Sequence, residues 1–267
     1  MRPWMPRVLC AVALATAGSM AGSAVAQTAV IGAEDDAAPW SYPDGTGYVN
    51  ELVQAAFQEV GWTVEQKVLP YARCKALAAK GLLAGCFSVG RKPELEASFH
   101  YPDAPVVGAR NLLVARSDSP LAGCDPGAWA AGRAAPRIGF VRGYEYVDAV
   151  EALTQRPSLR IDTTNSEQIN LRKLQAGHIQ AAVINVDEVK PIAYVAKLAG
   201  VDDDFKTVCD FGALPVYVAF SRAHPQGAAA LTAYNAGVAA LQASGAIAAL
   251  QATWRVRALD KITVVKR

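Results

Sequence analysis

Short apolar runs alternate along the chain with stretches whose apolar residues recur every three or four positions, the pattern of strands alternating with helices. Ala29-Val30-Ile31-Gly32-Ala33 reads as a buried strand that breaks into the turn-rich segment Glu34 to Gly47. Tyr48, Leu52, Val53, Ala56 and Phe57 then fall at helical spacing, Gly61 stops them, and Thr63 to Leu69 reads as a second strand. Pro70 to Lys80 predicts an amphipathic helix ended by Gly81, and Leu83 to Val89 a third strand. From Asn111 to Ala115 the pattern begins afresh: strand Arg137 to Val141, helix Tyr144 to Leu153, strand Leu159 to Asp162, helix Glu167 to Gln175, strand Gln180 to Ile184. Leu214 to Ser221 reads as a strand able to pair with Asn111 to Ala115, and the remaining helices lead to a short strand near Ile262 to Val265.

Two sets of alternating elements predict an α/β protein of two lobes, with residues 27–112 in the first, 113–215 in the second and 216–267 returning to the first. Two extended connections would then cross between the lobes as hinge strands. The carboxyl ends of both sheets would face one cleft, where open sheets bind ligands, and hinge closure is the natural motion. One continuous α/β domain satisfies the same periodicity.

The first 26 residues change this picture, since Arg2 and Arg7 precede an apolar run from Val8 to Ala17 and the small-residue pattern Ala24-Val25-Ala26. That layout predicts an export signal cleaved after Ala26, and with it a periplasmic location. Removing its two arginines from 26 Lys+Arg leaves 24 against 24 Asp+Glu, a formally neutral product. A nucleic-acid partner and an electrostatic hold on anionic membranes both need a basic excess, so neither is expected. After the signal no run of 18 apolar residues occurs, and no spanning helix is expected. The pattern Leu-Ala-Gly-Cys at Leu83–Cys86 and Leu121–Cys124 lies too far from the amino terminus to mark a lipid anchor.

Four cysteines remain beyond the signal, Cys74, Cys86, Cys124 and Cys209, an even number in a chain sent to an oxidising compartment. Of the three possible pairings, Cys74 with Cys86 and Cys124 with Cys209 would each stay within one lobe, whereas a bridge between lobes would obstruct hinge motion. Scattered His100, His178 and His224 and the lack of Cys-x-x-Cys argue against a metal site, and no cofactor motif is present.

An ordered series of motifs carries a resemblance: Glu34-Asp35-Asp36, Pro39-Trp40-Ser41-Tyr42, Gly47-Tyr48, Leu69-Pro70-Tyr71 with Arg73, Gly85 to Ser88, Pro93-Glu94, Arg142-Gly143-Tyr144, Leu174 to Ile184 and Tyr217 to Ser221. The chain resembles the periplasmic solute-binding proteins of polar amino-acid ABC transporters, family 3, over nearly its whole mature length. The resemblance implies a type II periplasmic-binding-protein fold that closes on one small polar molecule and presents it to a membrane permease without doing chemistry. A hinged carrier needs no second copy, so a monomer is expected.

Trp40 and Tyr42 follow the first strand and are candidates for an aromatic cleft rim, although a large aromatic there serves equally well as core. Tyr71 opens a helix where the resembled family places an aromatic over its ligand. Ser88 and Gly90 close the third strand and offer a hydroxyl and backbone amides to a carboxylate, with Arg73 and Arg91 as charge-assisted partners. Either arginine is equally at home on a solvated helix face. Gly143 and Tyr144 are read as a helix start, an anion site with Arg142 beside it. Two departures from the family bear on the ligand. Lys92-Pro93-Glu94-Leu95 stands in place of Thr-Pro-Glu-Arg, removing the arginine that clamps an α-carboxylate. Asn185 stands where an acid would meet the α-ammonium group, with Asp187 two residues on. A carboxylate-bearing ligand other than an α-amino acid is the reading that follows.

Two other classes stay open. A cyclohexadienyl-dehydratase-like enzyme on the same fold would recruit Glu34, Asp35 or Glu145 as its acid, although no nucleophile elbow, zinc helix, phosphate loop or dinucleotide turn is present. A ligand-binding sensor or adaptor would share every feature of a carrier.

Overall fold

Most of the short apolar runs become strands, and most stretches of helical periodicity pack an apolar stripe back over them, because a parallel strand buried on both faces has no polar side to show to water. The computed structural model describes residues 27–131 and 134–263, so the predicted export signal lies outside the described residues. In chain order the elements are β1 (Thr28–Glu34), α1 (Tyr48–Glu59), β2 (Thr63–Leu69), α2 (Tyr71–Ala79), β3 (Gly85–Gly90), β4 (Phe99–His100) and β5 (Val107–Arg116). They continue with α3 (Pro126–Trp129), β6 (Arg137–Val141), α4 (Asp148–Glu151), β7 (Arg160–Thr164), α5 (Glu167–Gln175), β8 (Ala181–Val186), α6 (Ile192–Ala199), β9 (Phe205–Ser221), α7 (Gly227–Ala243) and α8 (Ala246–Thr263).

Hydrogen bonding links the strands in the order β2-β1-β3-β9-β5-β8-β6-β7, with β4 on β9. Pairing is parallel within β2-β1-β3 and within β8-β6-β7. The two parallel groups are joined by β5 and β9, which run antiparallel to each other and to their neighbours. The far end of β9, Val216 to Phe220, pairs with β3, while its near end, Phe205 to Asp210, pairs with Leu112 to Arg116 of β5. Register slips between Arg110 and Leu112, opposite Gly212 at φ 91°, where both strands pass from one half of the molecule to the other.

Each half has its own core on both faces of its strands. In the first, α1 and α7 bring Phe57 and Tyr234 against Phe220, while Cys74, Ala78, Leu83 and Phe99 fill the opposite face. In the second, Trp129, Phe140 and Leu153 cover one face, and Leu171, Leu174, Ile184 and Val195 the other. Disulfides join Cys74 to Cys86 in the first half and Cys124 to Cys209 in the second.

Three sequence readings are corrected. The crossing strands are longer than Asn111–Ala115 and Leu214–Ser221, because the slips at the crossing break the alternation that marks a strand. Tyr144 to Leu153 is not one helix: Gly143 has φ 80°, Tyr146 turns its hydroxyl to accept from the Val141 N–H at 2.9 Å, and α4 starts only at Asp148. The strand near Ile262 to Val265 is absent through residue 263, where α8 continues, and residues 264–265 lie outside the described residues.

Candidate functional site

The carboxyl ends of β1 and β3 meet those of β6 and β8 across a cavity of about 20 Å³, lined by Glu34, Trp40, Tyr71, Ser88, Ala109, Tyr144, Glu145, Asn185 and Val216. Such a space holds about one water molecule, so the two halves must part before anything larger enters. Ala109 and Val216 come from the crossing strands, which places the cavity at the hinge.

On the first-half wall, β3 ends in a bulge between Phe87 and Val89 that holds Ser88 at φ 68°. A non-glycine residue pays about 1–2 kcal/mol for that left-handed backbone. Its hydroxyl is buried with no hydrogen-bond partner among the described residues. Two residues on, the Gly90 N–H donates to Oε2 of Glu145 at 3.1 Å. Glycine lets the two halves come this close, since an added Cβ would lie 2.7 Å from Cβ of Glu145 and 2.9 Å from Leu214 and would force one of them to shift. At the start of α2 the Tyr71 hydroxyl also donates to Glu145, and Lys75, one turn later, pairs with the same carboxylate. Burial, and after it the charge of Glu145, pushes the Tyr71 phenol well above its ordinary range, so it remains a donor. Lys75 also donates to the Gly143 carbonyl at 2.8 Å.

Also from the first half, Glu34, at the end of β1 and 3% exposed, accepts from the Tyr144 hydroxyl of the second half. Burial raises its carboxyl to about 8, against the lowering effects of Tyr144 and Lys190. Near neutral pH it is therefore largely protonated. Trp40 donates its indole N–H to Asp187 at 2.9 Å and lies under the Lys190 ammonium, 4.3 Å from the ring centre. Lys190 in turn pairs with Glu167 at 2.5 Å, and the Glu167 carboxylate also accepts from the Asn185 N–H at 2.6 Å. Among the described residues no group of three His, Cys, Asp or Glu is placed to hold a metal ion, and no helix is long and apolar enough to cross a membrane.

No protein-family model matches the sequence, and comparison with curated proteins returns no match. Solved structures do match. A histidine kinase sensor domain with similarity to periplasmic binding proteins superposes with a TM-score of 0.73 at 20% identity, covering 86% of this chain and 96% of that one. The substrate-binding protein of an amino-acid ABC transporter gives 0.69 at 18% identity, covering 85% and 98%. The amino-acid ABC transporter substrate-binding protein AbpA from Streptococcus pneumoniae, bound to L-arginine, gives 0.67 at 17% identity, covering 86% and 95%. The fold is that of the two-lobed periplasmic binding proteins. β5 and β9 are its crossing hinge strands, and the cavity lies in its interlobe cleft.

Within that periplasmic-binding-protein fold, Trp40, Tyr71, Ser88, Tyr144 and Asn185 converge on the cavity, with Gly90 directly behind. Tyr42 sits beyond it, its hydroxyl against that of Tyr194. Asp187 is held by Trp40 and by the N–H groups of Val189 and Lys190 at 2.9 and 2.7 Å. The three arginines fall outside. Arg73 is two residues past Tyr71, on the exposed side of α2. Arg91 is exposed and pairs with Glu96 at 3.0 Å. Arg142 is exposed beside an open groove of the second half. No helix starts at Gly143 and Tyr144, so the helix-start basis expected for an anion site there is lacking. Besides Lys190 over Trp40, Lys75 reaches the cavity-lining Glu145, and helical phase identifies it, since i and i+4 share a face while i and i+2 do not.

Proposed function

We propose that this chain is an extracytoplasmic solute-binding protein that closes its lobes, divided near residues 112 and 215, on a small polar carboxylate-bearing metabolite and delivers it to an ABC transporter permease. The observation that carries the reading is the Ser88 hydroxyl, buried without a partner in the cleft wall beside the Gly90 N–H, with Tyr71 and Lys75 aimed at the same place. Donors converging from a strand end and a helix start, under aromatic walls, suit an anionic oxygen pair on a small organic body.

The ligand we infer is not an α-amino acid. Asn185 accepts from Asn111 at 2.8 Å, Asp187 is engaged with Trp40, and Glu34 is uncharged near neutrality, so none of these three offers a free carboxylate to an ammonium group. The proposal includes no turnover. A thermal-shift screen of the protein without residues 1–26, across organic acids, amino acids, amines and sugars, tests it through ligand linkage to the native state. Saturable stabilisation by a carboxylate class is expected, and mass spectrometry of the same mixtures checks that the ligand is unchanged. Product formation would instead favour the dehydratase-like enzyme, with protonated Glu34 as its acid. A sensory role is the second reading, since a histidine kinase sensor domain shares the fold; ligand uptake lost on deletion of the gene separates delivery from sensing.

A further inference from the structure

Glu145 is a residue of the second half whose carboxylate is spent wholly on donors of the first. The Gly90 N–H and the Tyr71 hydroxyl reach one of its oxygens and the Lys75 ammonium the other, and its side chain is only 8% exposed. Those donors come from three places, the bulged end of β3, the first residue of α2 and the next turn of that helix, and they converge on one point. The Cys74–Cys86 disulfide ties the two elements together. A backbone amide, a phenol and an ammonium around one carboxylate make a charge-assisted anion site of the kind that recognises a ligand. Here the chain supplies the anion itself.

We propose that Glu145 is a tethered occupant of the cleft's anion subsite, holding the lobes together through Gly90, Tyr71 and Lys75 until a ligand carboxylate takes its place. Binding is then an exchange of one carboxylate for another. Ligands whose second group can engage the unpartnered Ser88 hydroxyl gain over a bare anion, because that contact is not already made by Glu145. The inference rests on the carboxylate reading of the cleft, and deepens it by naming the group that competes for the site.

Glu145→Ala removes the atoms that acetate would restore. In that variant, sodium acetate at constant ionic strength is expected to raise the melting temperature saturably, with an affinity roughly ten- to a hundredfold above that of the unmodified protein. Acetamide, the neutral isostere, gives no such gain, and Lys75→Met placed on the variant removes it. Glu145→Gln keeps the shape and loses the charge, and keeps the test open if the alanine variant does not fold. It is expected to weaken lobe closure, seen as a larger radius of gyration in ligand-free small-angle scattering, with a carboxylate affinity between the other two. Equal acetate binding by the unmodified protein and the alanine variant would overturn the proposal, as would unchanged scattering in both variants. A screen in which only uncharged ligands bind would sink the carboxylate reading of the function while leaving the acetate and scattering results to judge Glu145 separately.

Discussion

Lys190 carries its ammonium 4.3 Å from the ring centre of Trp40, while the indole N–H of Trp40 donates to Asp187 at 2.9 Å. One aromatic side chain of the first half is thus held from two directions by the segment that follows β8 in the second. Both contacts join the halves beside the cavity that Trp40 lines, and both must break when the lobes part. Cation–π contacts strengthen when desolvated, and Lys190 is 1% exposed, so this corner adds to closure beside the Glu145 cluster.

Lys190 also makes a fully buried ion pair with Glu167, 1% and 2% exposed. Removing one partner of such a pair strands the other charge at a cost of about 3–5 kcal/mol, while replacing both is often neutral. Lys190→Met is therefore expected to destabilise strongly in urea unfolding, and Lys190→Met with Glu167→Leu to recover most of the loss. A double variant no more stable than the single one would count against a stranded charge.

The fold was readable where local chemistry and tertiary demand agree. Glu167–Gln175 follows Ser166, whose hydroxyl accepts from the Ile169 N–H at 3.2 Å, so helix and cap are both written in the sequence. Arg137–Val141 and Thr63–Leu69 likewise match the strands read at those positions. Tyr144 to Leu153 misled because Tyr146, Val150 and Leu153 are spaced for a helix, whereas the Tyr144 and Tyr146 hydroxyls are spent on Glu34 and Val141. Of the site, the aromatic wall and the strand-end donors were legible from the rule that ligands sit at carboxyl ends of strands. The Lys75–Glu145 contact was not, since the partners lie 70 residues apart on different halves and periodicity says nothing of distances between lobes. Arginine chemistry drew attention to Arg73, and helical phase points instead to Lys75.

Glu34 gives the stability a pH dependence of fixed sign. Its folded carboxyl is raised to about 8 from an ordinary 4.5, chiefly by burial, so the folded state keeps a proton that the unfolded chain releases between those values. Stability should fall as pH rises through that window and level off above it. Glu34→Gln is expected to flatten the slope by up to a few kcal/mol, at about 1.4 kcal/mol per pKa unit. Melting temperatures from pH 4.5 to 8.5 check this by difference, because Asp35, Asp36 and Asp187, all raised mainly by burial, tilt both proteins the same way.

The two disulfides should separate stability from binding. Loop entropy makes the Cys74–Cys86 link, 12 residues apart, worth about 3 kcal/mol and the Cys124–Cys209 link, 85 apart, about 4.5 kcal/mol. Only the first joins α2 to β3, the two elements that carry the anion donors. Cys→Ala at 74 and 86 is expected to weaken carboxylate binding as well as stability, whereas Cys→Ala at 124 and 209 lowers stability with affinity kept. Calorimetric titration beside urea unfolding distinguishes them, and equal affinity losses in both variants would contradict the assignment of donors to α2 and β3.

Gly90 offers the sharpest test of closure. An added methyl would lie 2.7 Å from Cβ of Glu145 in the other half and 2.9 Å from Leu214 of β9, and the first of these clashes exists only when the lobes are together. The backbone of Gly90 is paired with Val216 as an ordinary strand residue, so the first half can fold with alanine there. Gly90→Ala should leave the melting temperature within a few degrees, since overpacking at one relaxed contact costs about 1–3 kcal/mol. It should also enlarge the radius of gyration and weaken ligand binding at least about tenfold, a factor worth about 1.4 kcal/mol. A Gly90→Ala protein that closes and binds normally would show that the β3 end does not approach Glu145 in solution.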